Sequence, residues 1–294
     1  MKTMKVAVVG PGAMGCLFAA RLAQSGVQTI LVDHRPDRAA NLQKTGIRVE
    51  EPSGTLQAKP TVVSNIPPGQ DLIIILTKSY ATRDLKLPAE SPILTLQNGL
   101  GNVETLCSMV GSARVLAGVT FEAVTSEGEG EVRHVAAGMT RLGPWTSCSP
   151  EPAMMALRKA GFQVELTDAP GQTLWEKAAI NAGINPITAL LNVQNGMLLS
   201  IPEARQLMRD LVVEAVKVAS TEGYRFSQSL VEVAEEVCQA TADNVSSMLQ
   251  DVRAGRRTEI DSLSGEVLRR AQEAGLPTPR TRVVWQLVKS LEQR

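Results

Sequence analysis

A lysine and two asparagines recur at four-residue spacing in the stretch 174–196, LWEKAAINAGINPITALLNVQNG. On a helix Lys177 and Asn181 share a face, and Asn185 extends the row by one more turn. Pro186 behind it suits the first turn of a new helix. A cation and amides lined up among Leu, Ala and Ile are costly to bury without partners. The row is therefore either the solvated side of an amphipathic helix or a site where an ammonium meets developing negative charge. In the second case Lys177 donates a proton. The asparagines, neutral and able to donate and accept, grip hydroxyl and carboxylate groups without charging the pocket.

A second polar island covers 240–261, ATADNVSSMLQDVRAGRRTEID. Asn244, Ser247 and Asp251 are three and four apart, the spacing of one helical face. Thr258 to Asp261 follows the Arg256-Arg257 pair and reads either as acidic residues stabilising a helix start or as part of a site. In the second reading Glu259 orients the lysine or bonds a substrate hydroxyl, and Ser247 contacts a substrate carboxylate.

What must position these residues begins at the N-terminus. Lys5 to Val9 is a short apolar run of the kind that forms a parallel strand buried on both faces. Gly10-Pro11-Gly12-Ala13-Met14-Gly15 follows at once, then a helical pattern, then a second apolar run ending in Asp33. A G-x-G-x-x-G is weak alone, but the strand before it, the helix after it and a second strand ending about 20 residues on make a dinucleotide site. The first glycine permits the tight turn, the second lets the backbone approach a pyrophosphate, and the third allows close helix–strand packing. Asp33 could bond the ribose 2′-hydroxyl of NAD, while His34, Arg35 and Arg38 could hold a 2′-phosphate. Further on, residues 71–77 and 92–96 read as strands. Lys78 and Asn98 follow their carboxyl ends, where ligands of parallel sheets sit; Lys78 reads either as a contact of a cofactor phosphate or ribose or as a solvated loop lysine, and Asn98 either faces the nicotinamide or belongs to an Asn-Gly turn without a ligand. Residues 114–142 add several strands with a hairpin turn at 127–130.

After Asp168 the strand signals vanish, and helices are expected at 172–182, 187–191, 202–223, 229–241, 244–254, 259–274 and 280–292. The expected layout is an α/β Rossmann-type domain over 1–168, its parallel sheet carrying added antiparallel strands, and an all-α domain over 169–294.

The chemistry narrows by elimination. Only His34 and His134 exist, and both read as surface or adenosine-side residues. Neither Tyr80 nor Tyr224 has a lysine four residues on, which removes the Tyr-x-x-x-Lys relay. Cys16, Cys107, Cys148 and Cys238 show no metal-ligand spacing, so no metal site is expected. For a hydride-transfer enzyme, Lys177 is the remaining proton donor. Burial would lower its pKa and Glu259 would raise it, with the balance open.

The bulk properties set the class. In 294 residues, 30 basic side chains match 30 acidic ones, so there is no electrostatic reason to expect nucleic acid or an anionic membrane as partner. The apolar runs fall far short of the ~20 residues of a membrane helix. The start, MKTMKVAVVGPG, runs into glycines too early for a signal peptide. Scattered cysteines suit reduced thiols, and a cytoplasmic protein is expected.

These residues together resemble the ketopantoate reductase family (2-dehydropantoate 2-reductase) nearly end to end. The marks are GPGAMG, TKSY after the central strand, QNG at 97–99, LWEKAAINAGINPITALLNVQNG and SSMLQDVRAGRRTEID. The resemblance implies a Rossmann domain, a helical substrate domain and a cleft between them, in which NADPH reduces ketopantoate to (R)-pantoate on the way to coenzyme A. It implies Lys177 as general acid, and Asn98, Asn181, Asn185, Asn195 and Ser247 as substrate contacts. Asn98 also lies near the nicotinamide, Lys78 and Glu259 contact the cofactor or close the site, and the backbone at Ala123 and Val124 lines the cofactor. A homodimer is compatible with it. Members often carry an arginine directly at the end of the second strand. Here His34 stands there, preceded by Asp33 and followed by Arg35, a departure that counts against NADP; the expected cofactor is still NADPH, with Arg35 as phosphate partner, and Asp33 leaves NADH open. Two other readings stand beside this one: reduction of another 2-keto acid or an imine on the same scaffold, and a dinucleotide-binding protein without turnover.

Overall fold

Runs such as Leu72 to Ile75, apolar at every position, have no face to offer water and suit only a strand covered on both sides; all four of these side chains are buried. The structure, a computed structural model, describes residues 3–293. Its first part runs β1 (Lys5–Val9), α1 (Ala13–Gln24), β2 (Gln28–Val32), α2 (Pro36–Thr45), β3 (Ile47–Glu51), β4 (Gly54–Ala58), β5 (Thr61–Val63) and β6 (Leu72–Ile75). A 3-10 turn at Ser79–Asp84, β7 (Ile93–Thr95), α3 (Asn102–Val110) and β8 (Val115–Thr120) follow. β9 (Ala123–Gly128), β10 (Glu131–Ala136), β11 (Thr140–Pro144), α4 (Glu151–Lys159) and β12 (Val164–Leu166) complete it.

The main sheet has the order β12-β11-β8-β7-β6-β1-β2-β5. Its strands pair in parallel except β8 with β11. From β1 the chain builds outward through β2 to β5, then returns to the other side of β1 with β6. That reversal is the topological switch point at which open sheets of this kind bind ligands. Of the added antiparallel strands expected in that sheet, β9 and β10 instead join β3 and β4 in a second one, β4-β3-β10-β9. Helix α1 contacts β2 of the main sheet and all four strands of the small one. It is buried from Gly15 through Ala20 and again at Leu22, which is why its sequence is apolar on nearly every side. Phe18 stacks on Phe162 with ring centroids 4.2 Å apart.

The remaining chain is helical, as expected: α5 (Pro170–Leu191), α6 (Met197–Ser200), α7 (Pro202–Thr221), α8 (Leu230–Ala240), α9 (Ser247–Arg253), α10 (Glu266–Glu273) and α11 (Pro279–Leu291). Pro186 does not open a new helix; α5 runs through it without a break. Proline has no N–H to give the carbonyl four residues back, but the bonds on either side and the burial of Ile184 and Ile187 hold the helix together. The expected helix from 244 begins only at Ser247, because Ser246 caps it by accepting from the Leu249 N–H at 3.2 Å. Asn244 therefore lies before the helix rather than on its face. The expected helix from 259 opens as a π-helical turn, Asp261–Gly265, before α10. The Glu214 carboxylate on α7 accepts from the Arg280 and Thr281 N–H groups at 3.0 and 2.8 Å and so caps α11.

The chain divides into two compact units. One runs through Gln97 and resumes from Asn102 to Thr173; the other joins Asn98–Gly101 to everything from Leu174 on.

Candidate active site

In the first unit the three motif glycines differ in what surrounds them. Gly10 has φ +106°, and a Cβ there would stand 2.7 Å from the Thr77 nitrogen, so the turn between β1 and α1 can hold only glycine. A Cβ on Gly15 would lie 1.8 Å from the Gly10 carbonyl oxygen, which is the close packing expected of the third glycine. Around Gly12 a Cβ would meet nothing within 4 Å. Its side is open and able to admit a pyrophosphate against the backbone. Helix α1 starts there with no side-chain cap and no acidic residue in its first turn. Its N–H groups and positive dipole end are thus left for an anion. Pro11, Ala13 and Met14 complete this turn. The geometry fits a dinucleotide phosphate.

The other expected cofactor contacts of this unit are placed as follows. Lys78 is half-buried and precedes the 3-10 turn at the carboxyl end of β6. Arg35 is exposed and stands before α2. Val124 is half-buried on β9, opposite His134. His134 itself is not a surface residue. It is 4% exposed, with Nε2 2.5 Å from Glu122 and Nδ1 3.2 Å from Arg21, an internal brace between α1 and the small sheet. One residue of this unit had no expected role. The amide of Gln97 donates to the Thr77 carbonyl at 3.0 Å and to the Thr82 hydroxyl at 2.8 Å, while its oxygen accepts from Thr95 at 3.0 Å. It ties the ends of β6 and β7 together. Its signal in the sequence is a long amide closely following a short buried strand.

In the second unit a narrow recess is lined by Asn98, Asn185, Ser247, Met248, Asp251, Glu259 and Leu263. Four of these are expected substrate or cofactor contacts, drawn from three separated stretches of chain. Asn98 is set by the turn that follows it. Gly99 has φ +82° and sits so close to the π turn that a Cβ would be 2.5 Å from the Ser262 carbonyl oxygen. The Leu100 N–H donates to that same oxygen at 2.8 Å. A π turn, whose hydrogen bonds reach one residue further than those of an α-helix, often marks a functional site; here it begins two residues after Glu259. Asp251, one turn beyond Ser247 on α9, accepts from Arg256 at 3.1 Å and adds an acid to the recess that spacing alone had given no role.

Lys177 and Asn181 do not line the recess themselves. They precede Asn185 on the uninterrupted α5, in a row that drifts by about 40° per four-residue step. Lys177 is half-buried. Desolvation of its ammonium lowers its pKa from 10.5 to about 8, against the opposing attraction of the Glu259 carboxylate. Burial wins the contest that the sequence left open, and a lysine near pKa 8 can give up a proton at neutral pH. Asn195 lies elsewhere. Its side-chain nitrogen donates to the Thr241 hydroxyl at 2.9 Å and its N–H to the Asn244 carbonyl at 3.0 Å. No three His, Cys, Asp or Glu side chains among the described residues converge as metal ligands would.

The chain matches known proteins over nearly its whole length. Residues 6–147 match the family model described as ketopantoate reductase PanE/ApbA, and residues 171–292 match its C-terminal counterpart. The 2-dehydropantoate 2-reductase of Halobacterium salinarum is 35% identical over 302 residues, covering 99% of each chain. Among solved structures, a PanE/ApbA family ketopantoate reductase from Ralstonia eutropha JMP134 superposes with TM-score 0.89 at 32% identity over 99% of each chain. A D-mandelate dehydrogenase in complex with NADH and anilino(oxo)acetate superposes with TM-score 0.90 at 25% identity over 99% of each chain.

Proposed function

The chain belongs to the ketopantoate reductase family, and on that premise we propose that it is an NADPH-dependent 2-dehydropantoate 2-reductase, making (R)-pantoate for pantothenate and coenzyme A synthesis. The observation that carries the reading is the recess that gathers Asn98, Asn185, Ser247 and Glu259, with Lys177 two turns before Asn185 on the same helix and electrostatically coupled to Glu259. When bound, the nicotinamide coenzyme supplies a hydride to C2 of the keto acid. Lys177 neutralises the charge that grows on the carbonyl oxygen and donates its proton there; positioned acids of this kind contribute about 10²–10⁴-fold. Glu259 holds the ammonium in its charged form until transfer. Asn98, Asn181, Asn185 and Ser247 grip the substrate carboxylate and its 4-hydroxyl. Asn195 steadies the turn that precedes α6. The glycine turn with Lys78, Arg35 and Val124 holds the coenzyme, and Arg35 takes the 2′-phosphate.

A second reading is favoured by the D-mandelate dehydrogenase likeness: reduction of a 2-keto acid with an aryl group in place of the hydroxyalkyl one. The polar character of Asn98, Asn185, Ser247 and Asp251 suits a hydroxylated substrate better than an aryl one. NADPH consumption with ketopantoate, ketoisovalerate and phenylglyoxylate decides between them. The expected result is at least about 100-fold higher kcat/KM for ketopantoate than for ketoisovalerate, which lacks the hydroxyl. Faster turnover of phenylglyoxylate would replace the first reading with the second, and no turnover of any of the three would overturn both.

A further inference from the structure

Directly after β2 stands Asp33, an acid where dinucleotide sites that take NAD carry one to accept the adenosine ribose hydroxyls. Such a carboxylate also repels the 2′-phosphate of NADP, which brings roughly two negative charges and three acceptor oxygens of its own. Asp33 is not available for either task. It has no exposed surface. Its Oδ1 accepts from the Arg35 N–H at 3.1 Å and from Arg38 Nη2 at 2.9 Å, and its Oδ2 accepts from Arg38 Nε. Three of its roughly four acceptor positions are thus filled from within the chain, two of them by the fork of one guanidinium. The hydrogen bond to Asp33 raises the Arg38 pKa above its usual value. Beside this pair Arg35 is exposed and the His34 side chain is 78% exposed, with the carboxylate of Asp37 exposed in the first turn of α2.

We propose that Arg38 is the positioning residue that sets coenzyme choice in this chain, by drawing the Asp33 carboxylate inward and away from the ribose so that Arg35 faces the 2′-phosphate unopposed. Asp33 is then a silenced NADH determinant serving as a brace of the β2–α2 turn. Arg38 acts through Asp33 and does not itself bind coenzyme, so it is not interchangeable with Arg35. The inference rests on the dinucleotide reading of the glycine turn and on the preference for NADPH; it is independent of which keto acid is reduced.

The test is direct titration of the full-length protein with NADPH and with NADH, followed by coenzyme fluorescence without substrate, for the parent, Arg38→Met, Arg38→Lys, Asp33→Asn and the Arg38→Met/Asp33→Asn double variant. In Arg38→Met the freed carboxylate reaches the ribose. The NADH-to-NADPH affinity ratio rises by about tenfold or more, the worth of one hydrogen bond to a charged group. Asp33→Asn added to it returns the ratio toward the parent's, a reversal that general loss of structure would not produce. Arg38→Lys keeps the charge without the fork and gives an intermediate ratio, which preserves the test should Arg38→Met fail to fold. The proposal is overturned if Arg38→Met weakens both coenzymes alike, or if Asp33→Asn alone weakens NADH and not NADPH, since Asp33 would then already be reading the ribose. Because binding is measured without turnover, a protein that prefers NADPH as described but leaves ketopantoate unreduced loses the substrate reading and keeps this one.

Discussion

Lys177 illustrates how a residue's role follows from a competition of magnitudes. Its ammonium is disfavoured by burial and favoured by the Glu259 carboxylate, and a pKa of about 8 records that burial outweighs the charge. A general acid must be protonated to act. The expected kcat/KM with ketopantoate is therefore flat below pH about 8 and falls about tenfold per pH unit above it. Glu259→Gln removes the raising influence, so the fall should begin at lower pH than in the parent; an unmoved profile would separate Glu259 from the lysine's titration. Lys177→Ala should lower turnover by about tenfold or more with NADPH affinity nearly unchanged. Loss of affinity in proportion to turnover would instead make Lys177 a part of the fold.

At the scale of elements, the turn between β1 and α1 separates what a glycine does for folding from what it does for binding. Gly15 packs against the Gly10 carbonyl, whereas Gly12 faces open space with ordinary backbone angles, φ −72° and ψ −177°. Gly15→Ala should destabilise the protein by about 1–3 kcal/mol, as other overpacked sites do. Gly12→Ala should leave the melting temperature almost unchanged and weaken coenzyme binding by about tenfold or more, since its methyl occupies the approach to the phosphates. Thermal denaturation and coenzyme titration of the two variants check this together; equal melting losses would refute the distinction. Elements also show where one-dimensional patterns mislead. Pro186 and the Asn244–Asp251 spacing each argued for a helix boundary, and in each a neighbour overrode it: continued burial of α5 in the first case, the Ser246 cap in the second.

For the whole molecule, equal numbers of acidic and basic side chains leave no broad field to gather an anion, so coenzyme capture depends on local donors. Binding to the folded state alone stabilises it by mass action: NADPH at 100 times its Kd should add about 2.7 kcal/mol. A melting scan should show that rise with NADPH and a smaller one with NADH at the same concentration. Equal rises would argue against Arg35 as the phosphate contact. No helix among the described residues is long and apolar enough to cross a membrane.

The order of strands and helices, the glycine turn and the Lys177–Asn185 row were legible because each depends on residues near one another in sequence, where the periods of strand and helix and the freedom of glycine act directly. What required the tertiary structure was every feature set by burial or by a distant partner. The sequence shows Asp33 beside two arginines but not that Arg38 takes its carboxylate out of reach. It shows His134 on a strand but not Arg21 and Glu122 closing around it. It lists Asn98, Asn185, Ser247, Asp251 and Glu259 but does not bring them to one recess. The physical reason is the same in each case: desolvation and hydrogen bonding between remote groups depend on which surfaces meet, and local pattern carries no record of that.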